Sequence, residues 1–529
     1  MVSSPTQQLP PAVPPPQVSA GVLRRKLRKL RRKNEAVIAE YYSQGTWYGE
    51  PISGLLYSLA ADLGREDNDL LWLAIVGVCS GEIYGRTIST GPPRLTAGGW
   101  GADNREGQIR GILRDEVRRL NPPELNAPNS GTSNGHTFTS LQTTAKSPND
   151  TAIRISPEYR FMLIRHWSLY DSMLHSSYLG TKLHIWSDHG KKRLHKLLAK
   201  MGFSLSQCKQ NYTHMDMDLK RTLKEKLERY APLYGLEGVV KEGFVRCWGW
   251  RGCLSAVDVG YVVGGILEVG KGRKSLPQQQ HKDSSSTEDI SEAAGKLEEE
   301  KEADEWIGNF WDAYDALEDI EALKRALPTA MNLHRAILRT GTALIEKREI
   351  KHLKAFRLAV LKEGPDLAIF THPNALSKLG LWISEAIFEQ EREHSKRRHL
   401  PLVVASLNER RGVYVVVGTA LGAQVAASAK IQKRKDREAK KAELEAKRKK
   451  REEEGVEEED EAEEDDDDSD DDDDEQKGGR NRFGIAFQEV ANSTQARIRI
   501  DAFEATVVEV LKEDLAGFLE SLSYKSVLG

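Results

Sequence analysis

Asp188-His189-Gly190 sets a carboxylate beside an imidazole, the side-chain types that hold catalytic metal ions. It stands at a helix start ahead of Lys191-Lys-Arg193, without a flanking strand, where Asp188 serves better as an N-cap. His166, His175 and His184 lie on apolar helical stretches, where an imidazole is more often a satisfied core or interface group than a ligand. The cysteines, Cys79, Cys208, Cys247 and Cys253, are too few and too irregular for a disulfide framework. Cys247-Trp-Gly-Trp-Arg-Gly-Cys253 lacks the short spacing and second ligand pair of a zinc site. These thiols read as small buried hydrophobes in a reducing compartment. No nucleophile elbow, P-loop or His-Cys cluster is present, so no catalytic residue, metal or cofactor is expected.

Binding chemistry is better represented. Leu23 to Lys33 carries Arg24, Arg25, Lys26, Arg28, Lys29, Arg31, Arg32 and Lys33, with leucines at 23, 27 and 30. Such a segment suits nuclear import, a nucleic-acid contact or a helix packed on its partner. A second concentration, Arg165, His166, Trp167, Tyr170, Asp171, Tyr178 and Trp186, could stack bases but better suits core or a protein interface.

Those residues need a scaffold. At 529 residues the chain is too long for one core, and 39% hydrophobic with 30% charged residues allows folded domains beside unstructured segments. The net charge of -3 is the sum of opposed blocks. Residues 1–21 form a Pro-rich leader, followed by helical sequence, and Asp69 to Cys79 suits a buried helix. Ile109 to Leu120 predicts one helix within an otherwise loop-like stretch that continues over 121–150. Ser156 to Tyr234 predicts helix after helix, opened by Ser156 as N-cap with Pro157 in the first turn. Residues 270–305 read as a disordered insertion, and Trp306 to Glu363 as long helices. Strands are expected at Ala368–Phe370, Pro401–Ala405, Gly412–Val417 and Ala505–Val510, with helices at Phe483–Ser493 and Glu513–Leu522. The block at 430–479 begins basic and turns almost wholly acidic, and should be an extended solvated loop. No run reaches transmembrane length without polar interruption.

The order of several segments resembles one known family. They are Leu71-Trp-Leu-Ala-Ile-Val-Gly77, Ile155-Ser-Pro-Glu-Tyr159, His166-Trp-Ser-Leu-Tyr-Asp-Ser172 and Leu183-His-Ile-Trp-Ser-Asp-His-Gly-Lys-Lys-Arg-Leu194. Leu198–Phe203, Met215-Asp216, Ser255–Val259, Leu400–Val403, Val417-Gly418 and Asn481-Arg-Phe-Gly-Ile-Ala-Phe-Gln-Glu-Val-Ala491 continue the series. Together they resemble the cell division control protein 45 family, of the DHH phosphoesterase superfamily and related to the single-strand exonuclease RecJ. The resemblance runs from about Arg24 to the end.

It implies an α/β fold with a large all-helical middle domain. A partial DHH-like domain would span 22–120, a helical helicase-docking domain 151–395, and a C-terminal DHHA1-like domain 396–529 interrupted at 430–479. The family's first half of the DHH domain is not in this sequence, so an incomplete gene reading or a partner-dependent fragment is expected, with apolar edges left uncovered. Most metal ligands of the superfamily belong to that half. Gly77-Val-Cys-Ser-Gly-Glu82 lacks the expected aspartate, and Gly478-Gly479-Arg480-Asn481-Arg482 lacks the histidine of a phosphate loop. The resemblance therefore implies a non-catalytic nuclear scaffold joining the MCM helicase ring and the GINS tetramer, with DNA polymerase epsilon among its fork partners. The alternatives are a RecJ-like metal-dependent exonuclease and a single-stranded DNA-binding protein.

Overall fold

The computed structural model describes residues 20–43, 45–46, 48–86, 105–122, 145, 147–270, 288–392, 400–420, 481–494 and 496–524. The chain divides into two units, Met1–Gly45 and Thr46–Gly529. In the first, α1 (Ala20–Ser43) is one amphipathic helix. Its eight cations from Arg24 to Lys33 are exposed, as are Leu23, Leu27 and Leu30 on one stripe. Arg31 pairs with Glu35 one turn later at 2.8 Å.

The second unit opens with α2 (Ile52–Asp62) and α3 (Asn68–Ile83). Asp67 caps α3 by accepting the Leu70 N–H at 2.7 Å. Beyond the cap the helix is apolar nearly all round, and such a helix must be buried; Leu71, Trp72, Ala74, Ile75, Val76, Val78 and Cys79 are. Gly77 lets it lie on α2, since a Cβ there would collide with Ser53. After α4 (Arg105–Leu120) the chain enters β1 (Ile153–Tyr159).

Five short helices make the next lobe: α5 (Leu169–Leu174), α6 (Ser177–Leu183), α7 (Asp188–Lys200), α8 (Leu205–Lys209) and α9 (Met217–Tyr230). Ser168, Ser176, Ser187, Ser204 and Asp216 cap them in turn, each worth about 1 kcal/mol. Their inner faces share one core with Tyr159 and Phe161. Antiparallel strands β2 (Val240–Cys247) and β3 (Cys253–Ser255) then complete a three-stranded sheet in the order β1-β2-β3. Helices α10 (Ala256–Val269), α11 (Glu288–Ala316) and α12 (Ile320–Glu346) enclose a second core with α3, α4 and this sheet.

The last part is built on β4 (Lys351–His352), β5 (Arg357–Leu361), α13 (Pro373–Arg392), β6 (Leu402–Asn408) and β7 (Val413–Thr419). It ends with α14 (Phe483–Ser493), β8 (Ile498–Ile500), β9 (Val507–Leu511) and α15 (Leu515–Ser523). The sheet order is β4-β5-β6-β7-β9-β8, with β5 and β6 parallel and every other pair antiparallel. Alternate residues serve opposite faces, as the strand period of two requires. Leu402, Val404, Val415, Val417 and Val507 join the core with α12 and α13. Val403, Ala405, Val416, Val508 and Val510 pack instead against α14 and α15. From across the fold, Glu299 and Glu302 of α11 reach Arg411 and Arg499, and Arg411 also grips Glu509 through two bonds of 2.7 and 2.8 Å.

The structure departs from the expectations at defined places. Ser156–Tyr159 belongs to β1, not to a helix start; Pro157 is tolerated because β1 is an edge strand needing fewer N–H donors. The continuous helix expected from Arg160 breaks at Leu163, which adopts a left-handed φ of 53°, and a short 3-10 turn at Ile164–His166 precedes α5. The region 151–395 is therefore not all-helical: it carries β1, β2 and β3, and also β4 and β5 of the last sheet. Ser187 rather than Asp188 caps α7, leaving Asp188 in the first turn. Helix α11 begins at Glu288, inside the expected insertion, since Ala313 and Ala316 bury its far end in the core; residues 271–287 lie outside the described ones. Ala368–Phe370 forms turns, and the strand is β5, ten residues earlier, within the stretch expected to be helical. Among the described residues of 22–120 every regular element is a helix. The leader and the charged block lie outside the described residues.

Candidate functional site

The densest buried chemistry gathers where α3, α4, β1, β2 and α10 meet. Ser255 caps α10 by accepting the Asp258 N–H at 3.1 Å, and the Asp258 side chain is buried. There it accepts the Leu163 N–H at 3.2 Å, and its other oxygen lies 3.5 Å from Arg165 and 3.9 Å from His166. Arg165 also reaches Glu158 at 3.4 Å and donates to the Pro157 carbonyl at 3.3 Å. Burial pushes the Glu158 carboxyl up, and Arg165 draws it back. Burial likewise lowers the His166 imidazole, which favours its neutral form, while Asp258 opposes that shift.

Beside this group, Glu82 forms ion pairs with both Arg110 and Lys241. Burial, with the Arg110 charge nearby, brings the Lys241 amine down to about 8. The acid that closes the Gly77–Glu82 stretch is thus held by two cations. Among the described residues no three His, Cys, Asp or Glu side chains converge as metal ligands. A third buried group closes the row: Tyr84 donates to Glu268 at 2.5 Å, and Lys378 meets the same carboxylate at 2.7 Å.

The sequence-predicted partner residues divide between wall and surface. Trp167 is buried, stacked on His175 with centroids 4.8 Å apart and covered by the Arg335 guanidinium. Trp186 is also buried and stacks on His184. Asp171 accepts the Ser168 hydroxyl at 2.6 Å at the start of α5. Tyr170 and Tyr178 are half-buried: Tyr170 shares a 3.3 Å hydrogen bond with His195 beneath Lys209, and Tyr178 donates to the Glu237 carbonyl at 2.6 Å beneath Arg160. Tyr178 also lines a cleft of about 380 Å³ with Lys182, His184, Arg193, Tyr234 and Glu389. Asp188 and His189 stay exposed at the start of α7. Of the glycine-rich stretch, only Asn481 and Arg482 are described; the Asn481 amide donates to the Gly418 carbonyl at 2.8 Å.

Two apolar surfaces escaped the sequence reading. Ile52, Leu55, Leu56, Leu59 and Leu63 line an outward face of α2, each more than half exposed. Ile307, Phe310, Trp311 and Tyr314 make a second exposed stripe along α11. Their spacing of three and four residues was the available signal, though it marks a covered face as readily as an open one. No described helix is long and apolar enough to cross a membrane.

Comparison with known proteins places this geometry. A fission yeast relative, the cell division control protein 45 homolog of Schizosaccharomyces pombe, is 46% identical over 503 residues, covering 95% of this chain and 68% of its own. Cell division control protein 45 of Saccharomyces cerevisiae is 32% identical over 512 residues, covering 95% of this chain and 66% of its own. The chain thus spans about two thirds of the length of these relatives. A crystal structure of CDC45 from Entamoeba histolytica superposes with a TM-score of 0.56 at 20% identity, covering 90% of this chain and 72% of that one, which supports the fold. With the CDC45 family model matching residues 16–525, the chain belongs to the CDC45 family of DNA replication factors.

Proposed function

We propose that this protein is a non-catalytic scaffold of the replication fork, joining the MCM helicase ring to the GINS complex in the nucleus, with DNA polymerase epsilon among its neighbours. The observation that carries the reading is the family match along nearly the whole chain. The occupied carboxylates agree with it: Glu82, Glu158 and Asp258 face arginine or lysine at close range. Within the lobe, Tyr170 and Tyr178 are the anchors, being aromatic and half-open, while Arg165, His166, Trp167, Asp171 and Trp186 find their partners inside the fold.

The test is capture of MCM and GINS subunits by the purified chain, repeated with Tyr170→Ala and Tyr178→Ala. Each anchor should cost ~2 kcal/mol of binding or more while leaving the melting temperature within a degree or two of the wild type. Failure to capture either complex would remove the scaffold reading, and manganese-dependent exonuclease turnover would replace it. The exposed cations of α1 favour single-stranded DNA as a further ligand, recognisable by a steep fall in affinity with salt.

A further inference from the structure

Cys247 and Cys253 stand directly opposite each other on β2 and β3. The Cys247 N–H is turned away, donating to Ala152 O at 3.3 Å, while the Trp248 N–H reaches Gly252 O at 2.9 Å. That pattern makes Cys247 and Cys253 a non-hydrogen-bonded pair, whose Cα atoms approach to ~4.5 Å. The spacing falls within the ~4.4–6.8 Å that a disulfide spans. The neighbouring Cys253 thiol favours thiolate at Cys247, and Cys247 with burial keeps the proton on Cys253. Arg154 Nη1 adds a donor to the Cys247 sulfur at 3.2 Å, and the guanidinium is itself fixed by Asp150. Cys247 is buried, and Cys253 is half-open to solvent.

We propose that Cys247 and Cys253 form a dithiol modification site that a peroxide closes into a reversible cross-strand disulfide. Cys253 is the sulfur the oxidant reaches. The Cys253 sulfur attacks the peroxide as the Cys247 thiolate takes its proton, the O–O bond breaks, and a sulfenic acid forms as hydroxide leaves. The hydroxide takes the proton from Cys247 and becomes water. The Cys247 thiolate, steadied by Arg154, then attacks the Cys253 sulfur and expels a second hydroxide. Two sulfurs are oxidised, one to each side of the new bond, and one peroxide is reduced. A partly exposed bridge of this kind is open to attack by external thiols, which makes closure reversible.

The experiment treats the full native chain with hydrogen peroxide, then unfolds it, alkylates it with N-ethylmaleimide and maps the cysteines by mass spectrometry. Two of the four cysteines should escape alkylation, in one linked 247/253 peptide lighter by two hydrogens, and dithiothreitol should restore both. Arg154→Gln should slow closure several-fold, and Cys253→Ala should abolish the linked peptide. Linkage through Cys79 or Cys208, disulfide-joined dimers, or continued alkylation of both residues after peroxide would overturn the proposal.

Discussion

Trp186 meets Trp382 edge to face, with ring centroids 5.8 Å apart at 80°, and this contact ties the five-helix lobe to α13. Space for the Trp382 ring is made by Gly341, where a Cβ would strike its six-membered ring. The residue that sequence reading offered as a partner contact thus contributes to the joint between two cores.

Loss of that joint should be costly. Trp382→Ala leaves a large cavity and should remove about 3–5 kcal/mol of stability. Chemical denaturation monitored by fluorescence and circular dichroism measures it. A loss under 1 kcal/mol would mean that the lobe and α13 are held by other contacts.

The Glu158–Arg165–Asp258 group predicts an asymmetry. Arg165→Met strands two buried carboxylates, and removing one partner of a buried ion pair costs about 3–5 kcal/mol. Adding Glu158→Gln to Arg165→Met should recover part of that loss, since one stranded charge disappears. If the double variant is less stable than the single, the cost lies in packing rather than charge.

Acid should weaken the fold from about pH 6.5 downward, where the unfolded imidazole begins to gain a proton. His334 lies buried against Tyr261, and burial with the Lys378 charge nearby holds its pKa well below the ordinary value. Below that point the unfolded state binds more protons, so stability falls as pH falls. His166 and His175 are lowered in the same direction. Melting temperatures from pH 8 to 5.5 should drop, and His334→Leu should flatten the curve by about 1–2 kcal/mol over that range. Parallel curves for the two proteins would assign the acid sensitivity elsewhere.

The charged block should be dispensable for folding. The Asn481 amide bonds the Gly418 carbonyl, so the chain re-enters the fold close to where it left. Replacing Lys430–Lys477 with a short Gly-Ser linker should leave the melting temperature nearly unchanged, because loop length costs little closure entropy. Insoluble or unfolded protein after that replacement would make the block structural.

Local signals were legible in the sequence. The apolar run at Asp69 to Cys79, the helix Phe483–Ser493 and the strands at β6, β7 and β9 fall close to where composition and periodicity put them. Ser156-Pro-Glu-Tyr159 misled because the same residues suit a helix start and an edge strand, and only pairing with β2 decides. The charge network was out of reach for a related reason. Lys241 and Glu82 are 159 residues apart, and Arg165 and Asp258 are 93 apart. One clue was visible: Asp258 and Glu268 are carboxylates set into otherwise apolar stretches, and an acid so placed must find a cation.

The grip of Arg411 and Arg499 on α11 has a consequence for synthesis. Glu302 finds Arg411 109 residues downstream, and Glu299 finds Arg499 200 residues downstream. Translation at ~5–20 residues per second leaves Glu302 without its partner for about five seconds or more, and Glu299 without Arg499 for about ten or more. During that interval its exposed aromatic stripe and unneutralised glutamates belong to a nascent chain. The final lock of the helix must therefore wait for the last sheet to leave the ribosome.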